Sequence, residues 1–185
     1  DLKHEQRGSP RAAFVFLGLT ILAFFYQSIG TGYIFSGTSS ASGTIFSAII
    51  SVVMPVMLFV VANWCLTTLL EGEGSFRDVF VATCYGIAPL PLLIILSTAV
   101  SNFLTANESA VITLINTIAF IWVGILLFFG VMVTHGYSFG KNVATILFTI
   151  IAMAFIMFLA VLFSSLMTKI VSFVYSIAEE INYRI

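Results

Sequence analysis

Side chains able to do chemistry are scarce in this sequence, and a distinctive group of them lies in residues 71–93, EGEGSFRDVFVATCYGIAPLPLL. This stretch sets Glu71, Glu73, Arg77 and Asp78 beside two glycines, then places Pro89 and Pro91 inside an apolar run. Carboxylates around an arginine in a short loop could dock a basic partner surface, although such a loop is commonly just solvated. Prolines two apart in a helix lack N–H donors and crowd the carbonyls four residues earlier, so Tyr85 and Ile87 need other carbonyl partners. In hydrocarbon such groups cannot stay exposed, and this inner half of the helix is expected to face protein or a water-filled cavity. Cys84, Tyr85, Pro89 and Pro91 are the residues that would line it.

The remaining polar groups are few. A second polar run, THGYSFGKN, offers His135, Tyr137 and Lys141, expected on the same side as the 71–78 loop. Asn63 and Asn116 are the strongest polar groups inside apolar runs, and each is expected to hydrogen-bond a neighbouring helix or to border the cavity. Counted at 1.5 Å per residue from opposite membrane faces, they differ in depth by about 10 Å and cannot pair with each other. No nucleophile, base and orienting group share a plausible spacing, and neither His4 nor His135 has a metal-ligand spacing with Cys or carboxylates. No phosphate-binding glycine motif is present either. The reading is non-enzymatic, with no metal, no cofactor and no nucleic-acid partner.

These residues must be positioned by membrane-spanning helices. The 185 residues are 60% hydrophobic and only 8% charged, with a mean hydropathy of +1.13, a composition that excludes a soluble domain. Asp, Glu, Lys and Arg are missing from 12–70, 79–107, 109–140 and 142–168. A spanning helix takes about 20 apolar residues, and the first window, interrupted by a Gly, Ser and Thr loop at 31–44, holds two. The expected fold is all-α, a polytopic five-helix transmembrane bundle in one domain, with spans at 12–30, 45–70, 79–104, 110–133 and 143–168. Pro10 suits a first helical turn, and Pro55 falls near the middle of the second span. From Lys169 onward, Ile170, Phe173, Val174, Ile177 and Ile181 recur at three and four, so 169–185 reads as an amphipathic tail that lies at the interface or extends the fifth span.

An odd number of spans puts the termini on opposite sides. Lys3, Arg7, Arg11, Arg77 and Lys141 gather on the N-terminal side against Lys169 and Arg184 on the other, which sets the N-terminus in the cytoplasm and the tail outside. Cys65 and Cys84 are too few for a disulfide framework and read as packing thiols at similar depth. Asn107, Glu108 and Ser109 match a glycosylation acceptor pattern. The polar opening at Asp1, with no leader-like segment, reads as the trimmed start of a longer chain.

Taken together, the run GEGSFRDVFVATCYGIAPLPLL, the later MVTHGYSFGKNVATILF, the preceding ANWCLTTLLEGEGSF and the opening DLKHEQRGS resemble the Yip-domain family, particularly its bacterial members. The resemblance covers nearly the whole chain and implies a five-helix integral membrane protein with a cytosolic N-terminus and a short outer tail. Eukaryotic members bind Rab-type GTPases. Their Asp-Leu-Tyr-Gly-Pro signature before the first span is not found here, so Rab binding is not carried over, and the family supplies no catalytic residues. The expected role is a membrane scaffold or partner of other membrane proteins, or of a second copy, in a bacterial plasma membrane. The alternative is a transporter, channel or transporter subunit with its cavity near Pro89 and Pro91.

Overall fold

The computed structural model describes residues 8–32, 45–69, 72–105 and 108–184. Most of the expected 31–44 loop, Glu71 and Asn107 lie outside these residues. Six helices follow in order: α1 Pro10–Gly30, α2 Ile45–Leu69, α3 Phe76–Gly86, α4 Leu90–Ser101, α5 Ser109–His135 and α6 Phe139–Arg184, with no strand among the described residues. Five helical stretches are long and apolar enough to cross a membrane, α3 and α4 together counting as one. The chain is an integral membrane protein.

Each helix starts and stops for local reasons. Pro10 occupies the first turn of α1, where its missing N–H costs nothing. The start of α3 is a capping box: the Asp78 carboxylate accepts from the Ser75 N–H at 3.1 Å, while the Asp78 N–H donates to the Ser75 hydroxyl oxygen at 3.3 Å. At the end of α5, Gly136 takes a left-handed φ of 64°, and the Tyr137 N–H reaches back to the Met132 carbonyl at 3.1 Å. The α1 and α4 C-termini are stitched together at the other end of the bundle. There the Asn102 amide donates to the Gly30 carbonyl at 2.8 Å, and the Gly32 N–H donates to the Ser101 hydroxyl at 3.0 Å.

The α3–α4 pair is the axis of the bundle. Its most apolar window is 56% buried, against 28% for α2 and 6% for α6. Val79, Ile87, Leu90 and Ile94 from this pair meet Ala23 of α1, Val56 and Val60 of α2, and Ala119 and Val123 of α5 in the main apolar core. Gly86 lets α3 approach α5 closely, since a Cβ there would come within 2.7 Å of Leu127. On α2 the buried residues Val52, Val56, Val60, Asn63 and Thr67 fall on one stripe at intervals of three and four.

Several boundaries differ from the sequence reading: α1 starts at Pro10 rather than 12, the third span ends at Ser101 rather than 104, and α6 starts at Phe139 rather than 143. The third span begins at Phe76 rather than 79, because the Ser75–Asp78 box moves the helix start three residues upstream. Residues 169–184 continue α6, the second of the two placements expected for this tail. From Met157 to Ile177 every side chain of this helix is exposed, including Val171 and Tyr175 off the stripe expected of an amphipathic tail.

Candidate functional site

Two features stand out, a polar lock at the end of the bundle where α2 meets α3 and α5 meets α6, and the break between α3 and α4. The lock centres on His135, the last residue of α5, only 2% exposed. The Gly74 N–H donates to its Nδ1 at 3.2 Å, so Nδ1 carries no proton and Nε2 must. Nε2–H then donates to the Asn63 side-chain oxygen at 3.2 Å. The Asn63 amide nitrogen donates onward to Thr149 Oγ1 at 3.1 Å, and that hydroxyl donates to the Thr145 carbonyl at 2.8 Å. One chain of hydrogen bonds thus ties the 72–75 loop, α5, α2 and α6 together through wholly buried side chains. Every link is consumed, which suits orientation of helices rather than proton transfer.

The two glycines of the EGEG run are explained by this lock. A Cβ on Gly74 would meet His135 Cε1 at 2.8 Å, and one on Gly72 would meet the Tyr137 hydroxyl at 2.6 Å and His135 Nδ1 at 2.7 Å. Only bare backbone can lie this close to the imidazole. Tyr137 stacks on His135 with centroids 5.3 Å apart and planes 19° from parallel, and Lys141 Nζ sits 4.4 Å above the tyrosine ring. Desolvation pushes the Tyr137 phenol above its ordinary pKa. Beside the lock, Asn142 is fully buried; its amide donates to the Phe128 carbonyl at 2.9 Å, while its Oδ1 has no partner.

The break between α3 and α4 solves the carbonyl problem locally. The Ala88 N–H donates to the Tyr85 carbonyl at 3.2 Å and the Leu90 N–H to the Ile87 carbonyl at 3.0 Å, a tightened turn that leaves neither acceptor needing water. Pro89 then precedes α4 and Pro91 lies in its first turn, where proline is tolerated. Beside the turn lies a cavity of about 270 Å³, bordered by residues of all five spans, including Phe24, Pro55, Ile87, Leu90, Val123 and Met153.

The residues singled out in the sequence divide between these places. Asn63, His135 and Tyr137 come together in the lock, with Lys141 over its edge. His135 and Tyr137 face inward under the loop instead of forming an open surface with their neighbours. Glu73, Arg77 and Asp78 are exposed, and the Asp78 carboxylate serves the α3 cap. Cys84 is buried with Ala13 and Val81, Cys65 is exposed, and Tyr85 packs edge-on against Phe16 at 5.1 Å. Asn116 is half-buried on α5, away from both features. Sequence reasoning missed Asn142, Thr145 and Thr149, all 0% exposed, although their spacing of three and four along an apolar run marks one helix face.

Among the described residues no three His, Cys, Asp or Glu side chains converge where a metal could sit. No curated protein and no solved structure matches the chain. The profile of the Yip1 domain matches residues 1–163. A five-span helical bundle with a proline-broken central span and a match over most of its length place the chain in the Yip1 domain family.

Proposed function

We propose that this chain is a non-enzymatic membrane scaffold, docking other membrane proteins or a second copy of itself, chiefly along α6. The observation that carries the reading is the mismatch between α6 and any single bilayer. The helical stretch Phe139–Ile177 runs for 39 residues, about 58 Å at 1.5 Å per residue against a hydrocarbon core of about 30 Å, with Lys141 near one end and Lys169 toward the other. From Met157 to Ile177 no described residue covers it, and Phe158, Phe163, Leu166 and Phe173 are more than half exposed, with Leu162 at 50%. Exposed apolar side chains past Lys169, Val171, Phe173, Val174 and Tyr175 among them, support a protein partner on the part of α6 that outruns the bilayer. The proposed setting is a bacterial plasma membrane, supported by the stretches that resemble bacterial members. The proposed orientation, N-terminus in the cytoplasm and tail outside, is supported by Lys3, Arg7, Arg11, Arg77 and Lys141 against Lys169 and Arg184.

The test is purification of the full-length protein from its own membrane after crosslinking, beside a chain carrying Phe158→Ala, Leu162→Ala and Leu166→Ala. A discrete partner or dimer lost from the triple variant supports the scaffold. Strictly monomeric migration with nothing crosslinked contradicts it. The mid-span break with its adjacent cavity favours a second reading, a transporter or transporter subunit. Flux into proteoliposomes that falls on Val123→Phe, which fills the cavity, would decide for it.

A further inference from the structure

The cavity beside the α3–α4 turn has a depth and a chemistry that define its occupant. Pro55 lies 14 residues from the end of α2, Val123 lies 12 from the end of α5, and Met153 lies 14 from the start of α6. At 1.5 Å per residue these positions are about 18–21 Å from the end of the bundle that holds the lock, near the middle of a hydrocarbon core of about 30 Å. Toward the opposite face the lining reaches Phe24 and Ser51, each six residues, about 9 Å, inside a helix end. Two of the three hydroxyls on the wall are already spent, Thr20 donating to the Phe16 carbonyl at 2.8 Å and Thr83 to the Val79 carbonyl at 2.7 Å. The break itself offers no free acceptor from Tyr85 or Ile87, since the turn uses both. A polar solute would find almost nothing to bind.

The cavity also has a side door. Among its lining residues Ser51 and Pro55 on α2 and Phe120 on α5 are exposed, and at their depth exposure means contact with acyl chains. Its volume of about 270 Å³ compares with roughly 150 Å³ for an apolar cavity that accepts benzene, which gives room for on the order of ten carbons. We propose that this cavity is a binding site for the terminal half of a lipid acyl chain, which enters laterally between α2 and α5 and lies against the α3–α4 turn. The chain then supplies the van der Waals contacts that an empty void would forfeit, and in lipid such packing, not expulsion from water, is what makes the site selective. The inference is independent of the scaffold reading, which concerns the far part of α6.

The test uses the full chain in phosphatidylcholine vesicles doped with phosphatidylcholine carrying a diazirine either at the end of one acyl chain or next to its carbonyl. Photolysis followed by peptide mapping is expected to place adducts of the chain-end probe on Phe59, Leu127 and Met153, at least five-fold above those of the carbonyl-proximal probe. Val123→Phe, which fills the cavity, should remove most of that labelling while leaving adducts on the outward-facing Leu22 and Leu92 unchanged. Ser51→Phe narrows the door from an exposed position and replaces Val123→Phe if the latter does not fold. Labelling of Leu22 and Leu92 with none on the cavity wall, or wall labelling indifferent to both substitutions, overturns the proposal.

Discussion

The strongest mechanical consequence of the lock falls on Gly74. Replacing it with alanine puts a Cβ 2.8 Å from His135 Cε1, 2.9 Å from His135 Nδ1 and 2.9 Å from Thr134 Cγ2. The imidazole cannot swing aside, because its Nε2–H is held by Asn63 and its face by Tyr137. The loop must lift instead, which breaks the Gly74 N–H bond to Nδ1. Overpacking of this kind costs about 1–3 kcal/mol, and loss of the hydrogen bond adds about 0.5–1.5 kcal/mol, so Gly74→Ala should destabilise the fold by about 2–4 kcal/mol. Gly124→Ala is the matched control. A Cβ there has no neighbour within 4 Å, and alanine in a helix interior is favoured by up to about 1 kcal/mol. The assay is reversible unfolding in mixed micelles followed by circular dichroism. In a His135→Ala background the ring clash is gone and only Thr134 remains, so the cost of Gly74→Ala should fall by at least about 1 kcal/mol. A Gly74→Ala protein that unfolds together with Gly124→Ala, or a cost unchanged by His135→Ala, would refute the lock.

Further expectations follow from neighbouring details. Asn63→Leu strands the His135 Nε2–H and should cost about 1–3 kcal/mol, whereas Asn142→Leu gives up the bond to the Phe128 carbonyl but also removes a buried oxygen without a partner, and should cost less, about 1 kcal/mol, both read by the same unfolding assay. The Glu108 carboxylate accepts from the Thr105 N–H at 2.9 Å and from its hydroxyl at 3.0 Å, which holds it below the ordinary value of 4.5. Its carbon NMR titration should therefore have a depressed midpoint, and its support of the turn at Thr105 should be intact above the ordinary carboxylate range and vanish as pH falls through the depressed value. Cys84 is 0% exposed and Cys65 is exposed, so a membrane-permeant maleimide should label Cys65 quickly and Cys84 only after unfolding, as peptide mass spectrometry would report.

The spans were legible because their cause is one-dimensional: uninterrupted apolar runs bounded by charge leave a helix no other place to go. The break was legible too, since Pro89 and Pro91 announce it, but its resolution was not. Two carbonyls that cannot bond forward in an α-helix can still bond three residues on, and that choice depends on the turn geometry of 87–89, not on residue type. The lock was only half visible. The EGEG run signals close backbone approach, yet its target, His135, lies 61 residues from Gly74, and nothing local names it. Asn142, Thr145 and Thr149 share a face readable from spacing, while the facing helix is a tertiary fact. The continuity of α6 through Lys169 has a plain reason in hindsight: after Gly140 the chain holds neither glycine nor proline, so a charged residue changes the surroundings without ending the helix.

The account stands or falls on what covers the outer part of α6. A photo-crosslinking residue introduced singly at each position from 155 to 177, in the native membrane, reads this directly. Protein adducts of one discrete mass, recurring about every 3.6 residues along one face, are the expected result. Adducts to lipid alone at every position would contradict it.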